Sequence, residues 1–172
     1  MLDFSQYKIN QENGKMSAAT FNDFFEAVKT ELGNIGSDLH RLYTNKVTAK
    51  EFNNFQVFVG QDGNTSRCRL SSENWCGNIN AITAAMQSLW DWYKTNVGNT
   101  SAVQTSGSYM AGVADYSNPG SYSVGDTVSN TDWNDMINNA YLFIKAFSDE
   151  IAENTGENMY WHFGDNLPVR LS

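Results

Sequence analysis

The residue types that do chemistry are sparse in this chain, and their spacing brings few of them together. The two histidines, His40 and His162, stand far apart. Each carries an imidazole suited to a general base or a metal ligand, but His40 falls on the polar side of a helical pattern and His162 in an aromatic tail. Both read as surface or packing residues. Two cysteines, Cys68 and Cys76, fit no zinc spacing and make no disulfide framework. Both are expected to be reduced. Asp62-Gly63-Asn64 has the look of a calcium loop, yet it lacks the alternating oxygen ligands and the closing Glu. Asp132 and Asp135 lie one helical turn apart near the positive end of a helix dipole, which favours the charged carboxylate. That is the wrong bias for the acid of a glycoside hydrolase. No phosphate loop, dinucleotide fingerprint or nucleophile elbow is present. The reading is therefore of a protein that is not an enzyme, with no catalytic residue, no cofactor-binding residue, no metal ligand and no cofactor.

Composition narrows the partners. The chain has 172 residues, 41% of them hydrophobic and 13% aromatic, which is the make-up of one globular domain. A net charge of −8 repels a phosphate backbone, and Arg67-Cys68-Arg69 is too small a basic patch to reverse that, so no nucleic-acid partner is expected. Charged residues make up only 17% of the chain, and Asn, Ser, Thr and Gln take their place. Such a surface loses little hydration energy when a partner covers it. The first six residues have neither a basic region nor an apolar core, so they are not read as a signal peptide. No stretch is long and apolar enough to span a bilayer, so no membrane partner is expected.

A short phrase recurs four times: an apolar residue, Ser or Thr, three residues, then Phe or Trp. It reads Met16-Ser17…Phe21, Val47-Thr48…Phe52, Leu70-Ser71…Trp75 and Val128-Ser129…Trp133. Ser or Thr at the N-cap accepts a hydrogen bond from an orphan amide of the first turn. The apolar residue and the aromatic form a hydrophobic staple that sets the angle of entry. Four helix starts are predicted. Three of them lead into stripes whose steps alternate four and three. The first is Phe21, Phe25, Val28, Leu32, Ile35, Leu39 and Leu42. The second is Trp75, Ile79, Ile82, Met86, Leu89 and Tyr93, and the third is Trp133, Ile137, Ala140, Ile144, Phe147 and Ile151. That is the period of a coiled-coil seam or tight bundle. Burying each large side chain is worth roughly 1.5–3 kcal/mol, so the stripes must pack on one another or on another subunit. Gly33 and Gly36 interrupt the first stripe, so the segment 33–38 could be a break with Ser37 capping a new turn, but the register holds across it and favours a continuous or slightly kinked helix.

The expected architecture is mainly α: a bundle of three long amphipathic helices, with a small β-hairpin and a long Gly/Ser/Tyr-rich loop. Residues 1–172 form one helical domain. It comprises an extended arm over 1–15, helices over 17–45, 71–96 and 129–155, a hairpin (or a short helix and loop) over 55–70, a loop over 98–128 and a docking tail over 157–172. Tyr109, Tyr116 and Tyr122 fall in the loop. Their rings could stack on sugars, so a glycan- or peptide-binding module using 98–128 is the alternative functional reading.

The segment Asn13-Gly14-Lys15-Met16-Ser17-Ala18-Ala19-Thr20-Phe21-Asn22-Asp23-Phe24-Phe25 resembles a phrase near the start of bacteriophage virion structural proteins of the tail-fibre, collar and neck type. In those proteins the phrase opens an oligomeric helical segment attached to the particle. The chain departs from them in being short, without a repetitive shaft or receptor-binding tip, and in repeating the phrase. The resemblance implies a non-enzymatic structural or assembly subunit of a tail, neck, collar or fibre attachment. Such a subunit would sit in the virion, be assembled in the host cytoplasm, self-associate through its heptad helix faces and contact other virion structural proteins.

Overall fold

The computed structural model describes residues 3–9, 18–43, 72–117 and 129–155. Four α-helices carry these residues: α1 Ala18–Leu42, α2 Ser72–Asn96, α3 Ser101–Ala114 and α4 Asn130–Thr155. Two 3-10 turns, Ser5–Tyr7 and Asp115–Ser117, complete the described structure. The expected three-helix bundle is corrected by this finding. There are four helices, and no strand occurs among the described residues. The hairpin expected over 55–70 lies outside them, as do the phrase at Val47–Phe52, Asp62, Arg67, Cys68, Arg69, Tyr122, His162 and the tail over 157–172.

Helix α1 continues through Gly33 and Gly36 without a break. The capping chemistry is visible at α4, where the Ser129 hydroxyl accepts from the amide of Asp132 at 3.0 Å. Helix α3 is the largest departure from expectation, because it occupies the stretch read as loop. Thr100 caps it by accepting from the Val103 amide at 3.3 Å. Its buried residues are Val103, Ser106, Met110 and Val113, which step by three, four and three. Composition hid this stripe: Gly, Ser and Thr are weak helix formers, and one of its four members is a serine. The hydroxyl of Ser106 is satisfied by the carbonyl of Ala102 at 3.0 Å.

The long helices run parallel. The rings of Phe21, Trp75 and Trp133, one from the first turns of each of α1, α2 and α4, form a triangle with centroids 5.8–6.1 Å apart. At the other end Tyr43 meets Trp92 at 5.9 Å and Tyr93 meets Phe147 at 5.3 Å. All three stripes take the same steps from the shared first layer. Phe25 with Ile79 and Ile137, and so on down to Leu39 with Tyr93 and Ile151, therefore lie at matching heights. Every member of these six layers is buried. The result is an in-register, parallel three-helix seam made by a single chain. The heptad faces expected to meet other subunits are thus consumed inside one molecule.

Helix α3 runs back antiparallel across α2 and α4. Four residues, 97–100, separate it from α2, as suits antiparallel neighbours. Small side chains let it approach closely. A Cβ at Gly107 would stand 2.8 Å from Cζ2 of Trp90, and one at Gly112 would stand 2.8 Å from the Asn139 amide nitrogen.

Candidate functional site

Three tryptophans, Trp75 and Trp133 buried and Trp90 half-buried, give their indole N–H to a segment outside the seam. The Trp90 indole N–H donates to the Val103 carbonyl at 2.6 Å and holds α3. Trp75 donates to the Tyr116 carbonyl at 2.8 Å and holds the turn after α3. Trp133 donates to the Tyr7 carbonyl at 2.8 Å and holds the N-terminal arm. A buried indole needs such a partner, so each tryptophan couples the dry core to a peripheral element. Lys94 also stands over the Trp90 ring at 3.2 Å from its centroid, a cation–π contact.

The most developed of these attachments is the groove between α1 and α4 that holds residues 3–9. The arm first folds on itself. The Asp3 carboxylate accepts from the Ser5 amide at 2.8 Å, and hydrogen bonding by Ser5 holds that carboxyl below its usual value. The resulting turn drives Phe4 into the core, where it is 3% exposed. Its ring meets Phe24 of α1 edge-on at 5.7 Å and Tyr141 of α4 at 6.1 Å. Tyr7 follows at 5.9 Å from Phe24. Beyond it the chain is extended, and Asn134 reads the backbone of Ile9 in both directions. Its side-chain oxygen accepts from the Ile9 amide at 2.9 Å, and its nitrogen donates to the Ile9 carbonyl at 3.0 Å. With Trp133 this makes three hydrogen bonds to main chain. The groove therefore recognises an extended segment through its backbone, with one deep aromatic anchor.

At the opposite end of the seam lies a polar knot. The Tyr93 hydroxyl donates to Glu150 Oε1 at 3.2 Å, and Asn154 donates to the same oxygen at 2.6 Å and also to the Tyr93 hydroxyl. Glu150 is 4% exposed. Burial pushes the Tyr93 hydroxyl above the ordinary tyrosine value of 10.0, and the nearby Glu150 adds to the rise against the opposing Asn154 hydrogen bond. Tyr43 is raised as well, chiefly by burial. These groups satisfy one another and form a structural network.

The residues singled out by type are scattered. His40 lies in α1. Asp132 and Asp135 sit in the first turns of α4. With Asp115 they raise the Tyr116 hydroxyl, whose main upward push is burial. Among the described residues no group of three His, Cys, Asp or Glu is placed to hold a metal ion, and no helix is long and apolar enough to cross a membrane. Cys76 is a half-buried free thiol. Tyr109 lies on α3 and Tyr116 in the turn that follows, so 101–117 does not form the open, sugar-gripping loop expected there. Sequence reasoning passed over the arm's groove. Its signal was the Asn following the aromatic in three of the four phrases, of which Asn134 is one. No family model, curated protein or solved structure matches the chain.

Proposed function

We propose that this chain is a non-enzymatic structural subunit of a bacteriophage particle, in a tail, neck, collar or fibre attachment, and that it associates with copies of itself and with other virion proteins. The reading rests first on the phrase over residues 13–25 and the helix it opens. In the proteins it resembles, that phrase begins an oligomeric helical segment. Here α1 packs in a parallel seam with two further helices of its own chain, each begun by the same phrase. One chain thus supplies three in-register rods, the arrangement a parallel trimer would otherwise make from three copies. A polar, weakly charged surface adds support, since burying it against neighbours costs little.

Association must then use surfaces outside the seam. Multi-angle light scattering of the purified protein, with mass spectrometry of purified particles from cells that carry its gene, tests the reading. Concentration-dependent oligomers and a fixed copy number in the particle are expected. A strict monomer that is missing from every particle fraction would end it.

A further inference from the structure

We infer that the α1/α4 groove is a receptor for an extended, aromatic-anchored segment, and that in the assembled state it takes the arm of a second copy of this chain. The inference rests on the assembly reading for the source of that arm. The groove's chemistry is set by what it holds in the monomer. Phe4 fills an aromatic slot between Phe24 and Tyr141, and Trp133 and Asn134 take the backbone of Tyr7 and Ile9.

Three features make the arm exchangeable. Among the described residues the arm meets one groove, through Phe4, Tyr7 and Ile9, and the arm can leave that groove as a unit. None of the residues that make the six layers lies in the arm; all come from α1, α2 and α4. Recognition is mainly through backbone, so an arm from any copy satisfies the same bonds, and no contact is lost on exchange. In dilute solution the tether keeps each arm in its own groove, because a short linker gives a local concentration on the order of millimolar. Packing copies side by side raises the competing concentration to the same range. The low-charge surface permits such packing. The arm then becomes the connector that the buried heptad faces cannot provide.

The test uses the full chain. Tyr7 is replaced by a photoreactive phenylalanine analogue, and chains grown in light and heavy nitrogen are mixed, irradiated over a range of concentrations and read by mass spectrometry. Cross-links from residue 7 into α1 or α4 of the same isotope report the tethered arm, and mixed-isotope cross-links report exchange. The expected result is same-isotope product alone at low micromolar concentration, with mixed product rising as oligomers form. Asn134→Ala should lower both products about tenfold at unchanged helix content, since two main-chain hydrogen bonds are lost. Oligomers in which every cross-link stays within one isotope would overturn the exchange while leaving the assembly reading intact. A chain that neither oligomerises nor exchanges at any concentration would overturn both.

Discussion

The two ends of the seam solve the same packing problem with different chemistry. At the start, Phe21, Trp75 and Trp133 close a dry triangle whose polar atoms have been sent outward, the two indole N–H groups going to Tyr116 and Tyr7. At the finish, Leu39, Tyr93 and Ile151 complete the last layer. There the Tyr93 hydroxyl points into the protein, so Glu150 is buried beside it and the exposed Asn154 closes over the pair. Both ends bury their last seam layer, but only one places a titratable hydroxyl, that of Tyr93, in that layer. The first end anchors peripheral segments, and the second couples stability to pH. A heptad position therefore fixes where a side chain goes, while its polar atom decides what else must follow it inside.

The largest expected effect comes from breaking the dry end. Trp133→Ala removes a ring from the triangle and the donor that holds Tyr7. Chemical denaturation should show a loss of about 3–5 kcal/mol, together with exposure of Phe4 to quenchers. A loss no larger than that of a change at the polar end would erase the contrast. Between the ends, Gly107→Ala forces the Trp90 indole away from α3, because the new Cβ meets the ring at 2.8 Å. A loss of about 1–3 kcal/mol is expected. Gly112→Ala meets only the mobile amide of Asn139. Its net change should stay within about 1 kcal/mol, because alanine's helix propensity offsets the crowding.

Asn78 sharpens the comparison from the other side. It lies in α2 three residues beyond Trp75, fully buried, and neither atom of its amide has a hydrogen-bond partner among the described residues. Asn78→Leu should raise stability by about 1–3 kcal/mol by removing an unpaid desolvation. A destabilised variant would mean that the amide has a role there.

The smallest changes are at the polar end. Tyr93→Phe should cost about 1 kcal/mol at neutral pH, since Glu150 and Asn154 still bond to each other. Its clearer signature is in alkali. The folded state holds the Tyr93 proton more tightly than the unfolded chain does, so the contribution is complete below the unfolded value of 10.0 and is lost as pH rises beyond it. The native chain should lose stability above about pH 10 more steeply than Tyr93→Phe. Equal slopes would show that the knot does not titrate with folding.

Much of the seam was legible because large apolar side chains carry it. The helices α1, α2 and α4 begin one residue after the phrase's Ser at positions 17, 71 and 129, and at Ser129 the capping hydroxyl is seen at work. The closure of the stripes within one chain was not legible. Periodicity states which faces must be buried but not what buries them, and parallel neighbours with long connections look the same in sequence as separate subunits. Helix α3 was missed because its close packing depends on Gly107, Gly112 and Ser106, the residues that lower helix propensity and mute the apolar pattern. The groove was missed because it reads backbone. Asn134 looks like any polar residue on a helix until the extended chain of Ile9 lies against it.

A single-chain seam requires that Phe21, Trp75 and Trp133 of one molecule touch. Isotope-filtered nuclear Overhauser spectra on a dilute mixture of labelled and unlabelled chain read this directly. Contacts among the three rings, with centroids 5.8–6.1 Å apart, should appear within single chains and persist on dilution. Ring contacts found only between labelled and unlabelled chains would contradict the single-chain seam.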